Sequence, residues 1–177
     1  MKKKIAVITG ASSGIGKKFA ELLETYDTFD EVWVIARRLE RLEELKTKIP
    51  FPLRPLPLDL TSPASYEAYA ALLSEQTPEI TLLVNCSGFG KFCATLDVPL
   101  EENLNMVDLN CKAVMAMCQH SIPYMPKGAK IINIASVAAF QPIPYINVYG
   151  ATKAFVLSYS RALNRELKAK GITVTAV

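Results

Sequence analysis

The stretch Lys4-Ile5-Ala6-Val7-Ile8-Thr9-Gly10-Ala11-Ser12-Ser13-Gly14-Ile15-Gly16 decides how the chain is read. Its first six residues make an apolar run short enough for a buried strand. Three glycines and two serines follow. From Ile15 onward Phe19, Leu22, Leu23 and Tyr26 recur at helical spacing. A strand, a glycine-rich turn and a helix start, in that order, form a cradle for a pyrophosphate. Glycine lets the backbone turn tightly and approach phosphate oxygens closely. The N–H groups and dipole of the helix start favour negative charge. Gly10, Ser12, Ser13, Gly14, Ile15 and Gly16 are therefore candidate binding residues. The strand–loop–helix context separates this loop from an ordinary tight turn.

Outward from this unit, apolar runs and amphipathic stretches alternate along the chain. Glu31 to Ala36 reads as a second strand, and Leu39, Leu42, Leu45 and Ile49 mark a helix with a core stripe. Leu53 to Leu58 alternates like a strand but carries Pro55 and Pro57. Proline cannot donate to a ladder, which puts this strand at a sheet edge. Pro63 to Ser74 reads as a helix capped by Thr61 or Ser62. Ile80 to Asn85 is a strand, Leu100 to Ser121 a long helix, and Lys130 to Ser136 a strand. Tyr145 to Lys170 is a helix closed by Gly171, and Ile172 to Val177 a last strand. Six short apolar runs with helices between them predict an α/β fold of the doubly wound, Rossmann type. A parallel sheet is covered by helices on both faces, in one domain over residues 1–177. In such sheets ligands bind beyond the carboxyl ends of the strands.

The 177 residues carry 20 Lys+Arg against 17 Asp+Glu, and half are apolar. That profile excludes a disordered tail, and a net charge of +3 is too small to argue for nucleic acid or a membrane surface. Lys2, Lys3 and Lys4 imitate the basic end of a signal peptide, but the apolar run Ile5–Ile8 is too short for one. Cys86, Cys93, Cys111 and Cys118 form no Cys-x-x-Cys pair, and His120 is the only histidine. No metal site is expected, and the cysteines read as free thiols of a cytoplasmic protein.

The second strand ends at Ala36-Arg37-Arg38. NAD-preferring sites commonly put an acid near this point for the ribose 2′-hydroxyl. Here two arginines follow, and a guanidinium fork suits a 2′-phosphate. The expected cofactor is NADP rather than NAD. The bland alternative is that Arg37 and Arg38 only solvate the next helix.

Thr9–Gly16 resembles the cofactor loop of the short-chain dehydrogenase/reductase family, and the match continues in order along essentially the whole chain. Asp59 and Leu60 fall where that family has an acid beside the adenine. Asn85-Cys86-Ser87-Gly88 is similar to its Asn-Asn-Ala-Gly motif, with departures at Cys86 and Ser87. Asn85, Ser87 and Gly88 join the cofactor set on this ground. Asn110, Ser136, Tyr149 and Lys153 match its catalytic tetrad. The resemblance implies an NADP-dependent oxidoreductase that interconverts a carbonyl and a secondary alcohol on a small-molecule substrate. Tyr149 would be general acid and base, Lys153 would also hold the nicotinamide ribose, Ser136 would steady the substrate oxygen, and Asn110 would hold a water in a proton relay.

Tyr149 and Lys153 are four apart on an expected helix and so share a face. A phenol ordinarily titrates near 10, so acid–base work near neutrality asks for about 4 kcal/mol in favour of the phenolate. A nearby ammonium supplies part of it. Residue by residue, other roles stay open. Asn110 can also mark a helix kink or a surface position; Asp59 can cap the next helix with Thr61; Asn85 is better read as tying neighbouring strands than as touching substrate. Phe89, Phe92, Phe140, Ile143, Tyr145 and Ile146 line an apolar pocket or belong to the core.

The family pattern also implies a Pro-Gly turn, a substrate lid and a seventh strand beyond Val177, so the chain reads as shortened at its C-terminus. That motivates a second reading, a module that binds NADP(H) without turnover, and a third, an inactive fragment. By resemblance a homo-oligomer is expected, through the helices near 100–121 and 145–170.

Overall fold

The computed structural model describes residues 2–177. Six parallel strands form one sheet in the order β3-β2-β1-β4-β5-β6. They are β1 (Lys4–Thr9), β2 (Glu31–Ala36), β3 (Leu53–Pro57), β4 (Glu79–Asn85), β5 (Lys130–Asn133) and β6 (Thr173–Ala176). The connecting helices are α1 (Gly14–Glu21), α2 (Leu39–Glu43), α3 (Pro63–Gln76), α4 (Leu100–Val107), α5 (Ala113–Ser121) and α6 (Asn147–Glu166). This is the doubly wound arrangement expected from the sequence. β3 lies at one edge, where Pro55 and Pro57 pair in register with Val34 and Ala36 of β2.

Strand alternation divides the core in two. Ile5, Val7, Leu83 and Ile131 face one layer of buried side chains, which Tyr69 of α3, Met117 of α5 and Val156 of α6 complete. Ala6, Ile8, Val34 and Val84 face the other, closed by Ala20, Leu42 and Leu45. Strands covered on both faces must be apolar at every position, which is why β1 and β2 read as unbroken runs.

Several boundaries differ from expectation. The helix after β2 gives way to a 3-10 turn at Glu44–Thr47, and Leu39 is 43% exposed rather than core. β5 stops at Asn133, so Ser136 stands three residues past the strand. The long helix read over 100–121 is interrupted by a π-turn at Asp108–Lys112, which separates α4 from α5 and contains Asn110. Gly171 closes the turn after α6 in the left-handed conformation, φ 68°, as expected. Among the described residues no helix is long and apolar enough to cross a membrane.

The strand order reverses between β1 and β4. At that switch point the loops leaving the two strands diverge and open a crevice.

Candidate active site

Thr9, the last residue of β1, stitches the crevice floor. Its hydroxyl accepts the N–H groups of Cys86 and Ser87, each at 3.1 Å. Gly10 follows at φ 67°, and a Cβ there would lie 2.8 Å from the Ser87 nitrogen. Only glycine satisfies both the left-handed turn and this approach. The first bond within α1 runs from Lys17 N–H to Ser13 O at 3.2 Å, so the N–H groups of the preceding residues project from the helix start. Ser13 is extended, and its side chain makes no cap bond to α1.

This loop forms one wall of a cleft of about 520 Å³. Gly10, Ser12, Ser13, Gly14, Ile15, Gly16, Arg37, Arg38, Asp59, Leu60, Ser87 and Gly88 all line it. Arg37 and Arg38 are both exposed. Asp59 Oδ1 accepts the Thr61 N–H at 3.0 Å and the Thr61 hydroxyl at 2.8 Å. Burial alone would raise its carboxyl, but those two bonds and the charge of Arg37 prevail and hold it below the usual carboxylate range. Leu60 is 3% exposed and lines the cleft. The backbone cradle, the two cations and the acid suit a dinucleotide, with N–H groups toward the pyrophosphate.

Asn85 requires a correction. It is 2% exposed and lies beneath the cleft, where its Nδ2 donates to Asn133 Oδ1 at 2.8 Å. Asn133 Nδ2 donates to Ser160 Oγ at 2.9 Å, and Ser160 donates to Val156 O at 2.7 Å. This buried chain ties β4 to β5 and β5 to α6, and Asn85 is not among the residues that line the cleft. Burial pushes the Cys86 thiol up to about 12, against the opposing pull of Lys153, so it stays protonated. All four cysteines are free.

The far end of the cleft passes into a second group of side chains through the loop Ser87–Gly90. Asn110, 1% exposed, grips this loop: its Oδ1 accepts Phe89 N–H at 3.0 Å and its Nδ2 donates to Phe89 O at 2.9 Å. The remaining amide proton goes to Thr152 Oγ1 at 3.0 Å, and Thr152 in turn donates to Tyr149 O at 2.7 Å. Asn110 thus clamps the loop to α6 from within the π-turn, and its side chain keeps no donor for a water.

Tyr149 and Lys153 share one face of α6, with the ammonium 5.6 Å from the ring centroid. A Cβ at Gly90 would fall 2.6 Å from Tyr149 Cδ2 and 2.9 Å from Cγ, so the ring is seated against bare backbone. Lys153 is 6% exposed and donates to Ile134 O at 2.6 Å. Burial lowers its affinity for a proton, while Cys86 and Cys111 act weakly the other way. Ser136 Oγ accepts Ala138 N–H at 3.1 Å, which leaves its own proton free to donate. Phe92, Phe140 and Tyr145 are exposed at 74%, 69% and 57%, so these three do not belong to the core.

Sequence reading missed the Gly90 seat, Thr152, and the Asn133–Ser160 brace. One signal was available: Thr152 and Ser160 are polar residues at core-facing positions of a helix, where buried hydroxyls need partners.

The short chain dehydrogenase family model matches residues 4–177. An uncharacterized oxidoreductase of Staphylococcus epidermidis is 31% identical over 179 residues, which is 100% of this chain and 77% of that protein. A short-chain dehydrogenase from Sphingobium yanoikuyae, solved in complex with NADPH, has a TM-score of 0.86 at 32% identity, covering 98% of this chain and 69% of that one. A bulky-bulky ketone specific alcohol dehydrogenase from Comamonas testosteroni has a TM-score of 0.85 at 32% identity, covering 98% and 71%. Because the match begins at the first strand and takes in both the cleft and the face of α6, the chain belongs to the short-chain dehydrogenase family of NAD(P)-dependent oxidoreductases.

Proposed function

We propose that the chain is an NADP-dependent oxidoreductase that interconverts a carbonyl and a secondary alcohol, with Tyr149 as general acid and base. One observation carries this reading. The loop Ser87–Gly90 lines the dinucleotide cleft on one side and seats the Tyr149 ring on the other. A nucleotide in the cleft and a carbonyl at Tyr149 are thereby brought to adjoining places.

A bound nicotinamide supplies or accepts the hydride. The protein handles the proton and the oxygen. In reduction the Tyr149 hydroxyl gives its proton to the carbonyl oxygen; in oxidation the phenolate takes it back. The Lys153 ammonium, held under the ring by Ile134 O, favours the phenolate by its charge. Ser136 donates its remaining proton to the same substrate oxygen, stabilising the charge that develops there. Asn110 positions the loop by its two bonds to the Phe89 main chain. Preference for NADP comes from Arg37 and Arg38, and the NADPH complex of the Sphingobium relative supports it.

Tyr149→Phe tests the assignment. Turnover should fall by about a thousandfold or more while NADPH binds as before. Turnover that survives would remove Tyr149 from the proton transfer.

The reading also includes a homo-oligomer. Leu100, Leu104 and Val107 on α4, Met115 on α5 and Phe155 on α6 are large apolar side chains left 37% or more exposed. Light scattering should give a mass at least twice 19.5 kDa, and Leu104→Glu with Phe155→Glu should lower it. A monomer at micromolar concentration would defeat this part.

A further inference from the structure

The buried face of α6 is apolar at Val156 and Leu163, yet between them stands Ser160, 1% exposed. A hydroxyl in such a place is costly unless it is paired. Its partners are specific. Ser160 Oγ donates to Val156 O at 2.7 Å and accepts Asn133 Nδ2 at 2.9 Å. Asn133, fully buried at the end of β5, accepts Asn85 Nδ2 on its Oδ1 at 2.8 Å. The middle of this chain must accept on one side and donate on the other, which an amide does and a carboxylate does not. Apolar side chains in both places would cost the fold little, so what the polar pair adds is placement.

The neighbour of Asn133 carries the consequence. β5 ends at Asn133, and the next carbonyl, Ile134 O, takes the Lys153 ammonium at 2.6 Å. Two adjacent residues at one strand end therefore hold α6 at two points. Ser160 stands seven residues after Lys153, or about 10 Å along the helix axis. One bond from a long, flexible lysine leaves a helix free to slide and turn; a second, between short side chains at that distance, does not. Apolar packing has no direction, whereas a hydrogen bond fixes distance and angle. On its other flank the strand end is fastened through β4: Asn85 O accepts Ile134 N–H at 3.0 Å, and Thr9 below the cofactor loop holds Cys86 and Ser87. Around the ammonium stand Tyr149 of its own helix, Cys86 after β4 and Cys111 of the π-turn. Burial pushes both thiols up, so neither meets the ammonium with a charge near neutrality.

We propose that Asn133 and Ser160 are positioning residues for the reaction, setting where along β5 the helix α6 presents Tyr149 to the ammonium held by Ile134. The proposal rests on the reading of Tyr149 as the acid–base residue and Lys153 as its charge. A buried ammonium keeps its acceptor, because leaving it unpaired is costly. If α6 slides, the ammonium therefore stays with Ile134 O while Tyr149 moves with the helix, and the ring is drawn away from the charge that favours its phenolate.

The test follows the ionisation of Tyr149 directly, in the free protein labelled with 13C-tyrosine. The Tyr149 resonance is the one lost in Tyr149→Phe. Ser160→Ala removes the brace; Asn133→Leu with Ser160→Ala replaces both partners by apolar groups and carries the same prediction should the single variant not fold. Lys153→Met removes the charge itself. Ile80→Val, at the far end of β4, loosens the core without touching the brace. The ionisation midpoint of Tyr149 should rise by about half a pH unit or more in the brace variants, by more in Lys153→Met, and stay in place in Ile80→Val. A midpoint that stays or falls in the brace variants, or that Ile80→Val moves as far, overturns the positioning role and leaves the oxidoreductase reading standing. A midpoint that Lys153→Met does not move overturns the pairing of Tyr149 with Lys153, and the brace with it.

Discussion

The two ends of the site are built on opposite principles. The cofactor end is backbone and exposed charge: N–H groups at the start of α1, a left-handed Gly10, and Arg37 and Arg38 in solvent. The catalytic end is buried side chains that hold one another. Asn110, Thr152 and Lys153 are 1%, 3% and 6% exposed, and each bonds to a segment far away in sequence. The first end presents main chain and solvated charge, although its loop is packed against Cys86 and Ser87. The second depends on the register of α6 against the loop after β4, so a small displacement reaches the chemistry directly.

Gly90→Val should break this contrast most strongly. The added Cβ would stand 2.6 Å from the Tyr149 ring, so ring or loop must move. A misplacement near 1 Å costs about a hundredfold in rate. We expect kcat to fall by about that factor, with NADPH affinity nearly unchanged because the cradle lies elsewhere. Loss of NADPH binding to the same extent would show that the two ends are not separable. Arg37→Ala with Arg38→Ala should act from the other end. Charged hydrogen bonds to a 2′-phosphate are worth about 1.5–3 kcal/mol, or roughly 10–100-fold in affinity. NADPH should lose that much, NADH should not, and kcat with saturating cofactor should hold. Equal NADPH and NADH affinity in the unaltered chain would sink the argument for NADP.

The same contrast explains what was legible in the sequence. The cradle is local: glycine spacing, a strand before and a helix after are written in thirteen consecutive residues, and Arg37–Arg38 follow directly from the end of β2. The presence of six strands and the edge position of β3 came from apolar runs and two prolines, whereas the order of the strands in the sheet came only from the structure. The candidates Ser136, Tyr149 and Lys153 were singled out by resemblance and spacing. What supports them was not found. Asn85 was readable as a tie between strands, but its partner was not: only the pairing of β4 with β5 sets it against Asn133. Asn110 read as a relay residue or a kink. It occupies the π-turn, and its amide clamps Phe89 21 positions away, a contact no periodicity can reveal. Tyr145, at φ 66°, carries no sequence mark of its left-handed backbone, since tyrosine is a poor candidate for it.

Lys153 offers the smallest effect and the sharpest view of the buried end. Burial lowers its proton affinity below the ordinary 10.5. Between its value in the folded protein and 10.5, the unfolded chain keeps a proton that the native state has lost. Stability then rises with pH across that window, because the unfolded state binds more protons. Below the window the folded protein carries a desolvated ammonium, offset in part by its bond to Ile134 O. Lys153→Met removes the charge and the bond together, and near neutrality it should stabilise the fold by about 1 kcal/mol while abolishing turnover. Urea unfolding of both proteins at pH 7 and pH 10 checks the sign. The advantage of the Met variant should shrink at the higher pH, since only the unaltered chain gains there. An advantage that grows instead would mean that the fold stabilises the ammonium, and that the catalytic end is held by charge as the cofactor end is.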